Sequence, residues 1–242
     1  MSFLFWPAWT PGAGGSITLA QRSMARKLLV LGVRLFVGLG MVGSHAGKRG
    51  NFIMTHARIS MEKQAGTSYP VPENEDFRLQ VLYSHKILNT PPESQFDRLT
   101  RLASVHFKVP MSIIALIGSD QMWCKASKGV NLQETPREDA FCAHTIAEAE
   151  LMVVPDATKD PRFKENPMVV GEPGIRFYVG APLITSEGVA LGALCLIDTY
   201  PRGFFSPEDR QYLTDLAGAV VDQMELRRAL LTEMQDDMYM VG

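Results

Sequence analysis

The chain has 242 residues, 46% of them hydrophobic, which suits one well-cored domain with extensions or two small domains. Its formal net charge of −2 leaves no global basic field to argue for nucleic-acid binding. Three cysteines, Cys124, Cys142 and Cys195, are too few and too scattered for a disulfide framework or a paired-cysteine zinc site, so reduced, buried thiols of the cytoplasmic type are expected.

Charge is distributed unevenly. Residues 1–61 carry seven basic side chains and no acid, so all 26 acids fall between Glu62 and the C-terminus. Within this leader, Leu28 to Val42 is apolar, but it is shorter than the roughly 20 residues needed to span a bilayer and contains Arg34. Three readings are open for the leader: a disordered stretch ahead of a later start at Met54 or Met61, a secretory or organellar targeting peptide, or a membrane-associated segment. Residues 1–66 are therefore set apart from the fold, and 67–76 read as a polar, Pro-containing linker.

The folded part is expected over 77–228. Phe77, Val81, Leu82, Ile87 and Leu88 fall near a helical period that Pro91 and Pro92 end. A second helix follows, with Glu93 in its first turn and Phe96, Leu99, Leu102, Ala103 and Phe107 on one face. Met111–Ile117 reads as a buried strand and Gln121–Ser127 as its hairpin partner across Gly118-Ser119-Asp120. A short helix over Asp139–Ala149 and a short strand over Met152–Val154 come next, then a helical turn near Asp160. Pro167–Gly174 is expected as a loop. Arg176–Thr185 and Val189–Asp198 form a second hairpin, where Gly180, Ala181 and Gly192 suggest close backbone approach or bulges. Ser206-Pro207-Glu208-Asp209 is a helix start, and apolar positions 213, 216, 217, 220, 221, 224 and 231 mark one face of a long helix. Residues 229–242 are its end and a tail. Hairpins between terminal helices imply an α/β (α+β) fold, a central antiparallel sheet flanked by N- and C-terminal helices.

Five blocks in this order resemble the GAF family, in the form found at the front of bacterial sensor histidine kinases and diguanylate cyclases. They are ILNTPPESQFDRLTRLA (87–103), ETPREDAFCAHTI (134–146), VVPDATKDPRFKENPMV (153–169), IRFYVGAPLIT (175–185) and GALCLIDTYPR (192–202). The resemblance implies a sheet with helices on one side and a ligand pocket on the other, walled by the 139–149 helix and the loop before the last hairpin. It implies a regulatory domain in signal transduction that binds a small molecule and transmits through its terminal helices. The alternative is a ligandless dimerisation module, its pocket filled by Trp123, Phe141, Phe163, Phe177 and Tyr178. No cofactor or metal is specified. The expected partners are a small-molecule ligand and a second copy or a signalling protein, with no nucleic acid and no membrane for the domain itself. A cytoplasmic location is expected, or an organellar one if the leader is a transit peptide.

The residues nominated for ligand contact are Trp123, Phe141, Cys142, His144, Asp156, Phe163, Arg176 and Tyr178. Cys142 and His144, two apart on a helix, do not face each other and so form no local nucleophile–base pair. His144 stands either at a pocket mouth or in ordinary helix packing. Asp156 and Asp160 bracket a turn, where their carboxylates bond backbone N–H groups as readily as a ligand. Strand alternation puts Arg176 and Tyr178 on one face and Phe177 on the other. Arg176 is then free to hold an anion bidentately or to pair with Asp156. Trp123 and Cys124 point to opposite faces, and Cys195 is expected in the core.

No enzyme activity is expected, since no GxSxG, HExxH, Walker-type, kinase or cyclase motif is present. Among enzymes the resemblance leaves a GAF-type free methionine sulfoxide reductase, but Pro155–Ile175 lacks the loop cysteine such enzymes use. FCAH is likewise a poor match for the cysteine position that attaches a bilin.

Overall fold

A computed structural model describes residues 69–240, with side chains to residue 236. The three readings of the leader, the start of the linker and the last two residues lie outside the described residues. Helix α1 spans Glu75–Ser84 and α2 spans Ser94–Phe107. Strands β1 (Met111–Ile117) and β2 (Gln121–Lys128) form the first hairpin, followed by a three-residue strand β3 (Glu134–Pro136) and a 3₁₀ turn over Arg137–Asp139. Helix α3 is Phe141–Glu148, β4 is Met152–Val154 and α4 is the single turn Pro167–Val170. The second hairpin is β5 (Phe177–Ile184) and β6 (Ala190–Asp198), and α5 runs from Pro207 to Met240.

The six strands make one antiparallel sheet in the order β3-β2-β1-β6-β5-β4. Its two central strands are buried along their whole length. That explains why both read as continuous apolar runs: a sheet covered on both faces has no solvent side to make polar. One face packs on α1, α2 and α5 through Ile114, Leu116, Val179, Ala181, Leu194 and Leu196. The other, carrying Ile113, Ala115, Tyr178, Ala193, Cys195 and Ile197, packs on α3 and the chain between β4 and β5.

Gly192 is the close approach expected from the sequence. It pairs with Leu116, and a Cβ there would run into the carbonyl oxygen of Ala115. On β2 the register slips where Ile114 faces Ala126 but Ala115 faces Cys124, so Lys125 is the extra residue of a bulge. Its side chain is fully buried on the helical face. The ammonium donates to the Thr90 hydroxyl at 2.7 Å, the Pro91 carbonyl at 2.9 Å and the Glu93 carboxylate at 2.6 Å, so all three protons are used.

Glu93 was expected inside the first turn of the second helix; it precedes Ser94 instead. Its carboxylate is drawn to Lys125 and to Arg227 of α5, whose Nε donates at 3.0 Å. Arg227 also donates to the carbonyls of His85 and Lys86, the groups left open where α1 stops. One carboxylate thus joins the sheet to the C-terminal helix.

Helix α5 begins as its sequence demands. The Ser206 hydroxyl accepts from Asp209 N and the Asp209 carboxylate accepts from Ser206 N, a reciprocal cap. Leu213, Ala217, Val220, Val221 and Met224 are buried. Other expectations need correction. Phe77 and Leu102 do not join the buried faces assigned to them; both are about half exposed, at 49% and 47%. The first helix ends at Ser84, because Lys86 and Asn89 take left-handed backbone conformations that helix geometry cannot include. The Pro167–Gly174 segment is not all loop: Asn166 accepts from Met168 N and Pro167 sets the first turn of α4.

Candidate functional site

The face of the sheet toward α3 encloses a small apolar cavity of about 30 Å³. Phe141, Cys142, Tyr178 and Cys195 line it, with Met122 and Met168 among the rest. Each is placed for a local reason. Ala140 is extended, and the chain enters α3 at Phe141, so Phe141 and Cys142 occupy its first turn against β6. Gly180 lies opposite Cys195 across β5 and β6. A Cβ at Gly180 would collide with the Tyr178 hydroxyl, so the missing side chain is what lets Tyr178 lie flat over its own strand. The hydroxyl hydrogen-bonds with Thr145 Oγ1 at 2.9 Å and meets Cys195 Sγ at 3.4 Å.

Aromatic rings fill most of this compartment. Phe141 stacks on Phe163 with ring centres 4.0 Å apart and planes 12° apart, and Tyr178 tilts against Phe141 at 5.1 Å. His144 meets Phe163 edge-on at 4.8 Å. Burial, then the Arg162 charge, pull the His144 imidazole down to about 4. Arg162 is itself held by Asp160 at 2.8 Å and by Glu148.

Of the eight nominated residues, Phe141, Cys142, Phe163 and Tyr178 converge, with His144 beside Phe163. Trp123 does not: it packs on the helical side of the sheet and lines a separate depression of about 180 Å³ with Tyr83, Asp120 and Glu134. Phe177 also belongs to the helical side, so neither ring fills the compartment. The Asp156–Arg176 pairing weighed from the sequence is replaced by two local arrangements. Asp156 accepts from Thr158 N and Oγ1 and pairs with Lys159 at 2.9 Å, a turn-forming role. Arg176 donates to the Val169 and Ile175 carbonyls and fastens the chain ahead of β5.

Cys195 is buried in the core as expected, but its place on the cavity wall, like that of Met122 and Met168, is not foreseen from the sequence. Pairing of β1 with β6 puts Cys195 opposite Ile113, on the face shared with Ala115, but no strand order can be read from one chain alone. Within the compartment Cys142 Sγ and Cys195 Sγ approach to 3.1 Å.

A two-hairpin antiparallel sheet, three helices on one face and a ring-filled compartment under a short helix on the other define an α/β (α+β) domain. The chain belongs to the GAF family, whose domain pattern matches residues 91–223. It is 39% identical over 160 residues to "Cyclic di-GMP phosphodiesterase PA2567" of Pseudomonas aeruginosa, a match covering 66% of this chain and 27% of that relative. The chain thus spans about a quarter of the length of the curated relative it matches. Among solved structures it is similar to the GAF domain of an Acinetobacter phosphoenolpyruvate-protein phosphotransferase, with 18% identity, TM-score 0.49 and coverage of 66% of this chain and 97% of that one. It is also similar to the free methionine-R-sulfoxide reductase of Neisseria meningitidis in complex with its substrate, with 16% identity, TM-score 0.48 and coverage of 69% and 99%. Among the described residues, no helix is long and apolar enough to cross a membrane.

Proposed function

We propose that this chain is a regulatory GAF domain of a signalling system that works as an interaction module, its compartment occupied by its own side chains and its output carried by α1 and α5. The Phe141–Phe163–Tyr178 cluster carries the reading. It leaves a cavity of about 30 Å³, room for one or two waters rather than for a nucleotide. Exposed apolar side chains support the output. Leu226, Leu230 and Met234 recur every fourth residue on α5, and Phe77 and Tyr83 are exposed on α1. A second copy of the chain is the proposed partner. Three free cysteines suit a reducing, cytoplasmic setting.

The relative's name supports cyclic di-GMP turnover as the process regulated. Hydrolysis itself is not carried over to a chain that spans a quarter of that protein. Sedimentation of the full chain tests the module: a dimer is expected, weakened at least tenfold by Leu230→Glu. A chain that stays monomeric at high concentration refutes the self-association.

A small-ligand sensor is the second reading, favoured because the cavity lies where α3 and the chain ahead of β5 meet. Melting-temperature shifts across a metabolite panel decide between the two, since a ligand that binds only the folded state stabilises it by mass action. A saturable shift replaces the ligandless reading with the sensor.

A further inference from the structure

The face toward α3 gathers sulfur. Cys142 on α3 and Cys195 on β6 are separated by 53 positions, yet their sulfurs lie 3.1 Å apart, closer than ordinary contact between two sulfur atoms. Both are buried and reduced, and both line the cavity. A disulfide bond is about 2.05 Å long, so closure needs roughly an ångström of further approach. The approach falls to Cys142, in the first turn of an eight-residue helix, while Cys195 is held in a central strand.

We propose that Cys142 and Cys195 are an oxidisable thiol pair, converted by a small hydroperoxide entering the cavity into an intramolecular disulfide that ties α3 to β6.

Cys142 Sγ attacks one peroxide oxygen. The O–O bond breaks, and the leaving hydroxide takes the proton given up by the Cys142 thiol to become water. The sulfenic acid left on Cys142 is attacked by Cys195 Sγ. An S–S bond forms, the S–O bond breaks, and the hydroxyl departs with the Cys195 proton as a second water. Two thiols and one hydrogen peroxide give one disulfide and two waters. The sulfurs are oxidised and the peroxide oxygens reduced.

The surroundings order these steps. The hydrogen bond from Cys195 holds the Cys142 thiol below its ordinary range, while burial holds Cys195 well above it. Burial also pushes the third thiol, Cys124, up to about 11, which leaves little of it as thiolate. A cavity of about 30 Å³ admits a peroxide and excludes bulkier disulfide oxidants. The reaction itself requires neither a ligand nor a dimer.

The test uses the full chain, reduced, exposed to hydrogen peroxide, then denatured in N-ethylmaleimide and mapped by peptide mass spectrometry. The expected product is a Cys142–Cys195 linked peptide within one chain, two hydrogens lighter, with Cys124 alkylated and the link removed by dithiothreitol. In Cys195→Ser, dimedone present as the oxidised chain is denatured is expected to trap a sulfenic acid on Cys142. The proposal is overturned if Cys142 and Cys195 are both alkylated at a peroxide concentration that oxidises Cys124, or if the link joins two chains. Should the serine variant fail to fold, the wild-type map decides alone.

Discussion

His144 shows how one side chain makes this domain sensitive to pH. Burial beside Arg162 holds its folded-state value at about 4, against about 6.5 in an unfolded chain. Between those values the unfolded state binds a proton that the folded state refuses, so stability is complete above pH 6.5 and falls as the pH drops toward 4. The loss amounts to at most about 3 kcal/mol. His85, whose value is lowered chiefly by burial, acts in the same direction. Urea midpoints at pH 7 and pH 5 check this: His144→Gln should flatten much of the difference, and an unchanged slope would remove His144 as its source. Lys125 is the second case. Glu93→Ala leaves a buried ammonium without its counter-charge and should cost about 3–5 kcal/mol, whereas Lys125→Met should cost markedly less. Denaturant titration of both variants ranks them, and equal losses would mean that the ion pair is not the source. The sequence leaves His144 open between a pocket mouth and helix packing, and the residue packs on Phe163 without lining the cavity. Lys125 could not be foreseen as buried, because its burial depends on a bulge and on acceptors more than thirty residues away.

Secondary elements were legible wherever local chemistry decides them. The Ser-Pro-Glu-Asp start of α5, the Gly188 turn and the two hairpins follow from capping, glycine geometry and period-two runs. β3, Glu-Thr-Pro, was not, because it has no apolar run, whereas the equally short β4 shows itself as Met-Val-Val; α4 is a single turn, too short for a helical period to show. Two glycines separate packing from propensity. At Gly192 a methyl group meets the backbone of the neighbouring strand, so Gly192→Ala should cost about 2 kcal/mol or more. At Gly218, within α5, a methyl group meets nothing within 4 Å, so Gly218→Ala should stabilise by about 0.5–1 kcal/mol through helix propensity alone. Thermal melts of the two variants shifting in the same direction would contradict this account.

At the scale of the molecule, the sequence revealed how many layers there are but not which side chain belongs to which. Alternation correctly separated Tyr178 from Phe177 and Trp123 from Cys124. It could not say which of each pair faced the compartment, so Trp123 is nominated from the sequence although Cys124 is the one on that face. That assignment depends on strand order, a property of pairings remote in sequence. The same order has a consequence for how the protein is made. The centre of the sheet joins β1, whose Ala115 opposes Ala193, to a strand near the far end of the fold. A nascent chain that has released both early helices and the first hairpin still exposes one long edge of β1, and must keep it from other chains until β6 leaves the ribosome. The interval during synthesis when this domain is most open to mispairing is therefore set by the distance along the message between those two strands.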